Sequence, residues 1–519
     1  MPLADPRQAQ RELNHFLDRL LQAPPPAGIY LELLEQSRET LCFIGEELAR
    51  SYVNKPLPLT EAQENCFREA ISIWFKAARS YARCVRPEGM PGDDPSRSAL
   101  ILHRSIYYIG MTIIEHYRAR RELPAGLWRD LHVQYAIAEQ SGVAALAVTD
   151  TLDPLARSTD CASALLSLLL VQLASPYALS IADQSLVRRW AGAWSPLVSL
   201  KSVAPGEVPS QFVIDLVRDV ALSSPADEPI AVQLRRLDTS RLGAQLFDVR
   251  KQLREKIPPV RIGLGDYPSG QCKRLLGHLV NAWSQRHGAR KYSRRASSGT
   301  ASVRTGFDAI YRHLCGETAS APKGLHAVAP REAGRRSSLV DRRVEAAQER
   351  TQDVAQQVID AEEREGLTAE QWMAVNQSAS GLCLMRGGAG KKITHGQLLA
   401  VCPQDGTRLL LARMVWLMQE QRNGLSAGVA TLAGLPQCVV ARPRVPEDAD
   451  SYAPSGAFLL PAVPAVGSEQ SLIIPRGWSD ASRLIEIYAD TPWCVQLVKV
   501  LDHGPDFERV SFVVVDTAS

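Results

Sequence analysis

Two short stretches carry the side chains best suited to holding a ligand. One is RHGARKYSRRASSGT, residues 286–300, in which Arg290 and Arg294 stand four apart with Arg286 and Arg295 flanking them. A guanidinium is planar and permanently charged. It pairs two-pronged with phosphate or with the N7 and O6 acceptors of guanine, and it stacks on flat rings. The other stretch is Asn376-Gln377-Ser378-Ala379-Ser380-Gly381. Short Asn and Ser side chains bond to nearby backbone and hold tight turns, while glycine admits close approach of another group. Read from residue types alone, the first stretch is a mobile basic loop and the second a β-turn leading into a strand over Leu382–Met385.

Catalytic signatures fail. The chain holds no GxSxG and no HExxH, and its ten histidines form no close pair at metal-ligand spacing. His287, His313 and His326 read as surface or packing residues. The run Gly387-Gly388-Ala389-Gly390-Lys391-Lys392 resembles a phosphate loop only superficially. Met385 stands where that pattern needs glycine, and Lys392 where it needs Ser or Thr. It also lies between two strand-like runs, with no helix to supply an N-terminal dipole, so it reads as a basic β-turn. These failures point to a binding protein and not an enzyme.

The bulk numbers narrow the classes further. The chain has 519 residues, 59 basic and 56 acidic, for a net charge of +3. That balance argues against bulk binding to nucleic acid or an anionic membrane. Ten cysteines are scattered without a CxxC pair, as expected of small buried hydrophobes in a reducing compartment. No basic stretch followed by an apolar core opens the chain, so a cytoplasmic location is expected. Cys161 to Ala182 is uncharged and long enough to span a bilayer. Gln172, Pro176 and several serines interrupt it, so a buried helix is the expectation and no membrane span.

The elements that must position these residues change in kind along the chain. Leu13, Phe16, Leu17, Leu20 and Leu21 make one apolar stripe, ended by Pro24–Pro26. Thr60 with Gln63 forms a capping-box pattern. Further helices are expected over Ile29–Tyr52, Ala99–Tyr117, Leu127–Leu146, Cys161–Leu173, Gln211–Leu222 and Ile230–Ile257. Pro258-Pro259 marks a boundary, followed by a short strand at Val260–Leu264 and a helix carrying Leu275, Leu276, Leu279, Val280 and Trp283. Residues 317–339 read as linker and Asp341–Glu365 as a charged exposed helix. From about Trp372 short β-prone runs alternate with turns. They are Gly381–Met385, Gln397–Cys402, Arg408–Leu417, Gly428–Leu432, Gln437–Ala441, Phe458–Leu460, Ser471–Ile474, Leu484–Tyr488, Cys494–Leu501 and Glu508–Val515. Asn423-Gly424 is the clearest hairpin dipeptide among them.

The expected fold class is therefore α+β and multidomain: an all-helical N-terminal domain (1–257), then an antiparallel β-barrel region, one barrel or two in tandem. Residues 258–316 would hold a helix, the arginine loop and the first barrel strand. Residues 317–367 would be an insertion, 368–445 the barrel core and 446–519 a second β-rich region.

Taken together, the arginine loop, the Asn-x-Ser-x-x-Gly run and the train of strands resemble the PilZ domain, a small β-barrel that binds cyclic di-GMP. That family carries an RxxxR loop before the barrel and [D/N]xSxxG on an early strand. Arg290-Lys291-Tyr292-Ser293-Arg294 matches the first, and Asn376, Ser378 and Gly381 match the second. The pairs Arg286/Arg290 and Arg331/Arg335 fit RxxxR as well. The resemblance implies a ligand-binding set of Arg290, Arg294, Arg295, Asn376, Ser378 and Gly381, with cyclic di-GMP as ligand and no cofactor. It implies a receptor that passes its state to a protein partner through the helical domain. About 80 residues separate Arg294 from Asn376, so an insertion must loop out between the two motifs. The alternatives are a ligand-free scaffold of the same fold and an RNA-binding barrel using the basic loop. The latter lacks a regular aromatic platform for stacking bases.

Overall fold

The computed structural model describes residues 5–85, 94–150, 152, 158–203, 212–223, 233–284, 294–318, 369–444, 454–488 and 493–515. They form two compact units, one within 1–291 together with 418–423, the other within 292–417 and 424–519. The linker and charged helix expected over 317–365 lie outside the described residues, as do Arg286, Arg290, Arg331 and Arg335.

The first unit is built on helices α1 (Pro6–Gln22), α2 (Ala27–Tyr52), α3 (Glu61–Ala82), α4 (Pro95–Arg118), α5 (Leu127–Gln140), α6 (Cys161–Leu173), α7 (Ile181–Trp194), α8 (Ser240–Arg254) and α9 (Ser269–Trp283). Their starts follow local chemistry. Asp5 caps α1, with proline in its first turn, and Asp160 and Ser180 cap α6 and α7. Thr60 and Gln63 form the expected reciprocal capping box on α3. The α1 stripe faces inward, with Leu13, Leu17 and Leu20 buried. The segment long enough for a bilayer is α6 followed by a break. Its Leu165, Leu166, Leu168, Leu169 and Leu170 are all buried, and the Trp283 indole of α9 donates to the Leu170 carbonyl at 2.7 Å. No helix among the described residues is long and apolar enough to cross a membrane.

Four sequence expectations fail in this unit. It is not all helical: β1 (Val148–Thr149) pairs with β2 (Ser158–Thr159), and β3 (Ser199–Ser202), β5 (Leu234–Asp238) and β4 (Val213–Asp215) make a three-stranded sheet in that order. The helix expected over Gln211–Leu222 contains β4 and a turn, and the one over Ile230–Ile257 begins only at Ser240. Both segments were rich in Val, Ile and Leu, and short apolar runs do not separate helix from strand. Val260–Leu264 is not a strand either; Pro259–Ile262 is a single 3-10 turn.

Buried charge organises the centre of this unit. Asp150, 1% exposed, receives Arg38 at 2.7 and 2.9 Å and Arg104 at 2.9 Å. Arg104 also reaches Glu35 at 3.2 Å, and the Tyr81 hydroxyl donates to Glu35 at 2.7 Å. Burial alone would raise the pKa of Asp150. The Arg38 hydrogen bonds and the Arg104 charge outweigh it and hold the carboxyl below its ordinary value.

The second unit holds two closed antiparallel barrels. In the first, β8 (Glu370–Ser378) pairs with β7 (Thr300–Thr305) and β9 (Gly381–Arg386). The ring continues through β10 (Leu398–Pro403), β11 (Leu410–Gln419) and β12 (Leu425–Thr431), with β12 closing on β9. A short strand, β6 (Arg295–Ala296), adds to β8 from outside the ring. The second barrel runs β13 (Gln437–Pro443), β14 (Ser455–Leu460), β15 (Ser471–Pro475), β18 (Phe507–Val515), β17 (Trp493–His503), β16 (Leu484–Tyr488) and back to β13. Every β-prone run expected after Gly381 is a strand. β13, placed with the first barrel by the sequence reading, belongs to the second.

Two strands are buried on both faces. Leu398–Val401 of β10 and Ser471–Ile474 of β15 show no exposed position. Leu398, Ala400 and Ile473 join Phe458, Phe507 and residues of α10 (Phe307–Thr318) in one core between the barrels, while Leu472 and Ile474 fill the second barrel. This double burial explains why these strands read as unbroken apolar runs. Across the same seam, Arg413 meets Asp502 at 2.7 Å and the Asp506 carboxylate accepts the Leu398 amide at 3.0 Å.

Two tests follow from these buried charges. Asp150→Ala leaves Arg38 and Arg104 without their shared anion and is expected to lower unfolding free energy by about 3–5 kcal/mol in urea titration. Burial raises the Asp506 pKa to about 6, above the unfolded value, so its ionisation opposes folding. Its contribution is most favourable below the unfolded pKa and is lost as pH rises through about 6. Asp506→Asn should therefore equal or exceed the wild-type melting temperature at pH 7.5, with the variant's advantage shrinking toward pH 4. An advantage that grows on acidification would contradict this.

Candidate functional site

The two stretches singled out in the sequence meet on one strand. Arg295 pairs with Gln377 and Ala296 with Asn376 in antiparallel register. Arg295 is thus not part of a free loop. It lies on the edge strand β6, at the end of β8 that carries Asn376 and Ser378. Arg294 and Arg295 are exposed, and among the described residues neither side chain has an ion pair or hydrogen bond.

The Asn-Ser-Gly run is mostly strand. Asn376 and Ser378 belong to β8, only Ala379-Ser380 form the turn, and Gly381 opens β9 opposite Ser378. A bulge between Ala374 and Asn376 breaks the ladder with β9. Bulges bend a strand and re-aim the side chain that follows. Here the 297–299 segment crosses the bulge, the Ser297 amide donating to the Val375 carbonyl at 3.0 Å and the Ala374 amide to Gly299 at 2.8 Å. Half-buried Asn376 emerges beside β6, its amide without a hydrogen-bond partner among the described residues.

Ser378 and Gly381 shape the turn. The Ser378 hydroxyl donates to the Gly381 carbonyl at 3.3 Å and accepts the Ser380 amide at 3.4 Å. Gly381 is required by space. A Cβ there would stand 2.2 Å from the Val429 carbonyl oxygen on β12. The Thr431 amide donates to the Ser380 carbonyl at 3.1 Å, tying the turn to the end of β12. The result is a fixed strand end bordered by two exposed arginines and a carboxamide, groups that can pair with a planar, anionic ligand.

The other end of β8 holds a cluster that sequence reasoning missed. Arg386 pairs with Glu370 at 2.8 Å, lies 5.1 Å from the Trp372 ring centre, and donates to the Ala389 and Lys391 carbonyls, while Glu370 also accepts the Lys391 amide. These bonds clamp the Gly387–Lys392 run as a loop between β9 and β10, as the β-turn reading expected. Burial pushes the Arg386 pKa down while Glu370 pulls it up. The one available sequence signal was Trp372 alternating with Ala374 as inward positions. No group of His, Cys, Asp and Glu among the described residues could hold a metal ion.

Comparison with known proteins finds similarity on either side of this site. Residues 1–205 match the family model described as "Cyclic-di-GMP receptor FimW, N-terminal domain". Residues 440–515 match the "FimW C-terminal beta-barrel domain". The first barrel and the arginine segment lie between these matches. Over 509 residues the chain is 23% identical to the "Cyclic-di-GMP receptor FimW" of Pseudomonas aeruginosa, covering 92% of this chain and 82% of that protein.

The fit at Gly381 gives a direct check of the platform. Gly381→Ala forces its new methyl onto the Val429 carbonyl, and overpacking of that kind costs about 1–3 kcal/mol. Chemical denaturation should register that loss, whereas Gly387→Ala, which meets no atom within 4 Å, should stay near wild type.

Proposed function

We propose that this chain, similar at both ends to the FimW family and along most of its length to FimW itself, is a cyclic di-GMP receptor. Its messenger sits where the arginine segment meets the Asn-x-Ser-x-x-Gly strand end. The observation that supports this most strongly is the register of β6 on β8, which sets Arg295 beside Gln377 and one pair from Asn376. Arg294, the last residue of the first motif, and Arg295 then adjoin the strand end that carries the second motif, despite the long segment between them.

The chemistry fits the ligand. Cyclic di-GMP offers two guanine edges and two phosphates. Arg294 and Arg295, with Arg290 from the adjoining segment, supply guanidinium forks for N7 and O6 or for phosphate. Asn376 supplies a carboxamide that can both donate and accept. Ser378 spends its proton on the turn, so it positions Asn376 and Gly381 and keeps a lone pair for the ligand. Gly381 lets the turn close against the Val429 carbonyl of β12 and so fixes the strand end. This is recognition and not turnover. The chain acts as a cytoplasmic, non-enzymatic receptor whose helical unit carries the bound state to a protein partner.

Calorimetry on the full chain tests the reading. Arg290→Ala, Arg295→Ala and Asn376→Ala are each expected to weaken cyclic di-GMP about tenfold, or about 1.4 kcal/mol. Absence of binding heat at high ligand concentration would overturn it. Retained affinity in all three variants would move the site elsewhere.

A further inference from the structure

The helical unit encloses a cavity of about 390 Å³ that the messenger site does not use. Small-molecule sites are typically about 300–1,000 Å³. Its walls come from α2, α3, α4, α6 and α7, with Trp74, Tyr107, Met111, Ile114, Val171 and Val187 supplying aromatic and aliphatic surface. Glu46 and Arg189, both exposed, also line it, so it communicates with solvent.

The charges on its wall do not all balance. Arg118 is held by Glu46 through two 3.0 Å bonds and by Glu115 at 2.6 Å. Gln184 donates its amide hydrogens to the Tyr117 and Pro176 carbonyls at 3.3 and 2.8 Å. Arg188 has no such match. It is half-buried, and among the described residues its hydrogen-bond partner is the Met111 thioether at 3.1 Å, with no carboxylate in ion-pair reach. A guanidinium offers five N–H donors, and a thioether is a weak acceptor. Arg188, Tyr107, Met111, Ile114 and Val171 also border a second void of about 80 Å³. Withdrawing a cation from water without a counter-charge is costly, and an entering anion recovers that cost. Cys42 on the same wall does not supply the anion, because burial pushes its thiol pKa up.

We propose that this cavity is a second ligand site, for a small monoanion with an aromatic or branched apolar body. The anionic group pairs with Arg188 and the body packs among Tyr107, Met111 and Ile114. A neutral ligand of the same shape would leave Arg188 unpaired. The site is independent of the barrel platform, so its failure would not touch the receptor reading.

The test uses the full-length protein and a fluorescent aromatic sulfonate, 1-anilinonaphthalene-8-sulfonate, displaced by 4-phenylbutyrate or by the neutral 4-phenylbutanol. Saturable binding to one site per chain is expected, with the acid competing at least about tenfold better than the alcohol. Arg188→Met should remove that preference and Arg188→Lys should restore part of it. Both variants should keep the wild-type melting temperature within a few degrees and the wild-type affinity for cyclic di-GMP. Equal competition by acid and alcohol, an unchanged preference in Arg188→Met, or no saturable binding at millimolar probe would overturn the proposal. Displacement of the probe by cyclic di-GMP would do so too, by making the cavity part of the messenger site.

Discussion

A strand in a closed barrel must pair along both edges, because an unpaired backbone amide or carbonyl buried in a sheet is costly. Strand β8 meets this demand with three partners: β9 along one edge, β7 and then β6 along the other. The rest of the candidate site depends on that pairing. It places residues 295–305, which precede the long segment, against residues 370–378, which follow it. Loop closure explains why so long a separation is tolerated. The entropy of closing a loop grows only as the logarithm of its length, so a barrel can accept an insertion between neighbouring strands and still close.

The seam between the two barrels adds a second constraint. β10 and β15 each bury both faces, and α10 packs in the same core beside Phe458. A platform built on strands of such a unit is more precise than one built on loops alone. The Arg386–Glu370–Trp372 cluster extends this at the far end of β8, where it fixes the loop after β9 and keeps that end of the strand in place.

The helical unit solves a different problem. Its core is large and apolar, yet it buries Arg38, Arg104, Asp150 and Glu115. Ions so placed gain little net stability when paired and cost heavily when one partner is lost. They do penalise wrong packings, since a misregistered helix would strand a charge. Arg188 stands apart from this economy, because its wall supplies a thioether where its neighbours supply carboxylates.

The amino-acid sequence by itself determined the helix starts, the strand runs after Gly381 and the two motif candidates. Caps, period and turn dipeptides are local signals, and each of these features is decided within a few residues. Where two local readings compete, as at residues 213–215 and 234–238, the sequence leaned to helix, and partners far along the chain made strands of both. The same holds for the site. Asn376, Ser378 and Gly381 were legible as a motif. That Arg295 would lie opposite Gln377, that a bulge would turn the Asn376 carboxamide outward and that Gly381 would sit against Val429 were not. The first and last are contacts between residues tens of positions apart, and only closure of the barrel, which pairs every strand edge, decides them.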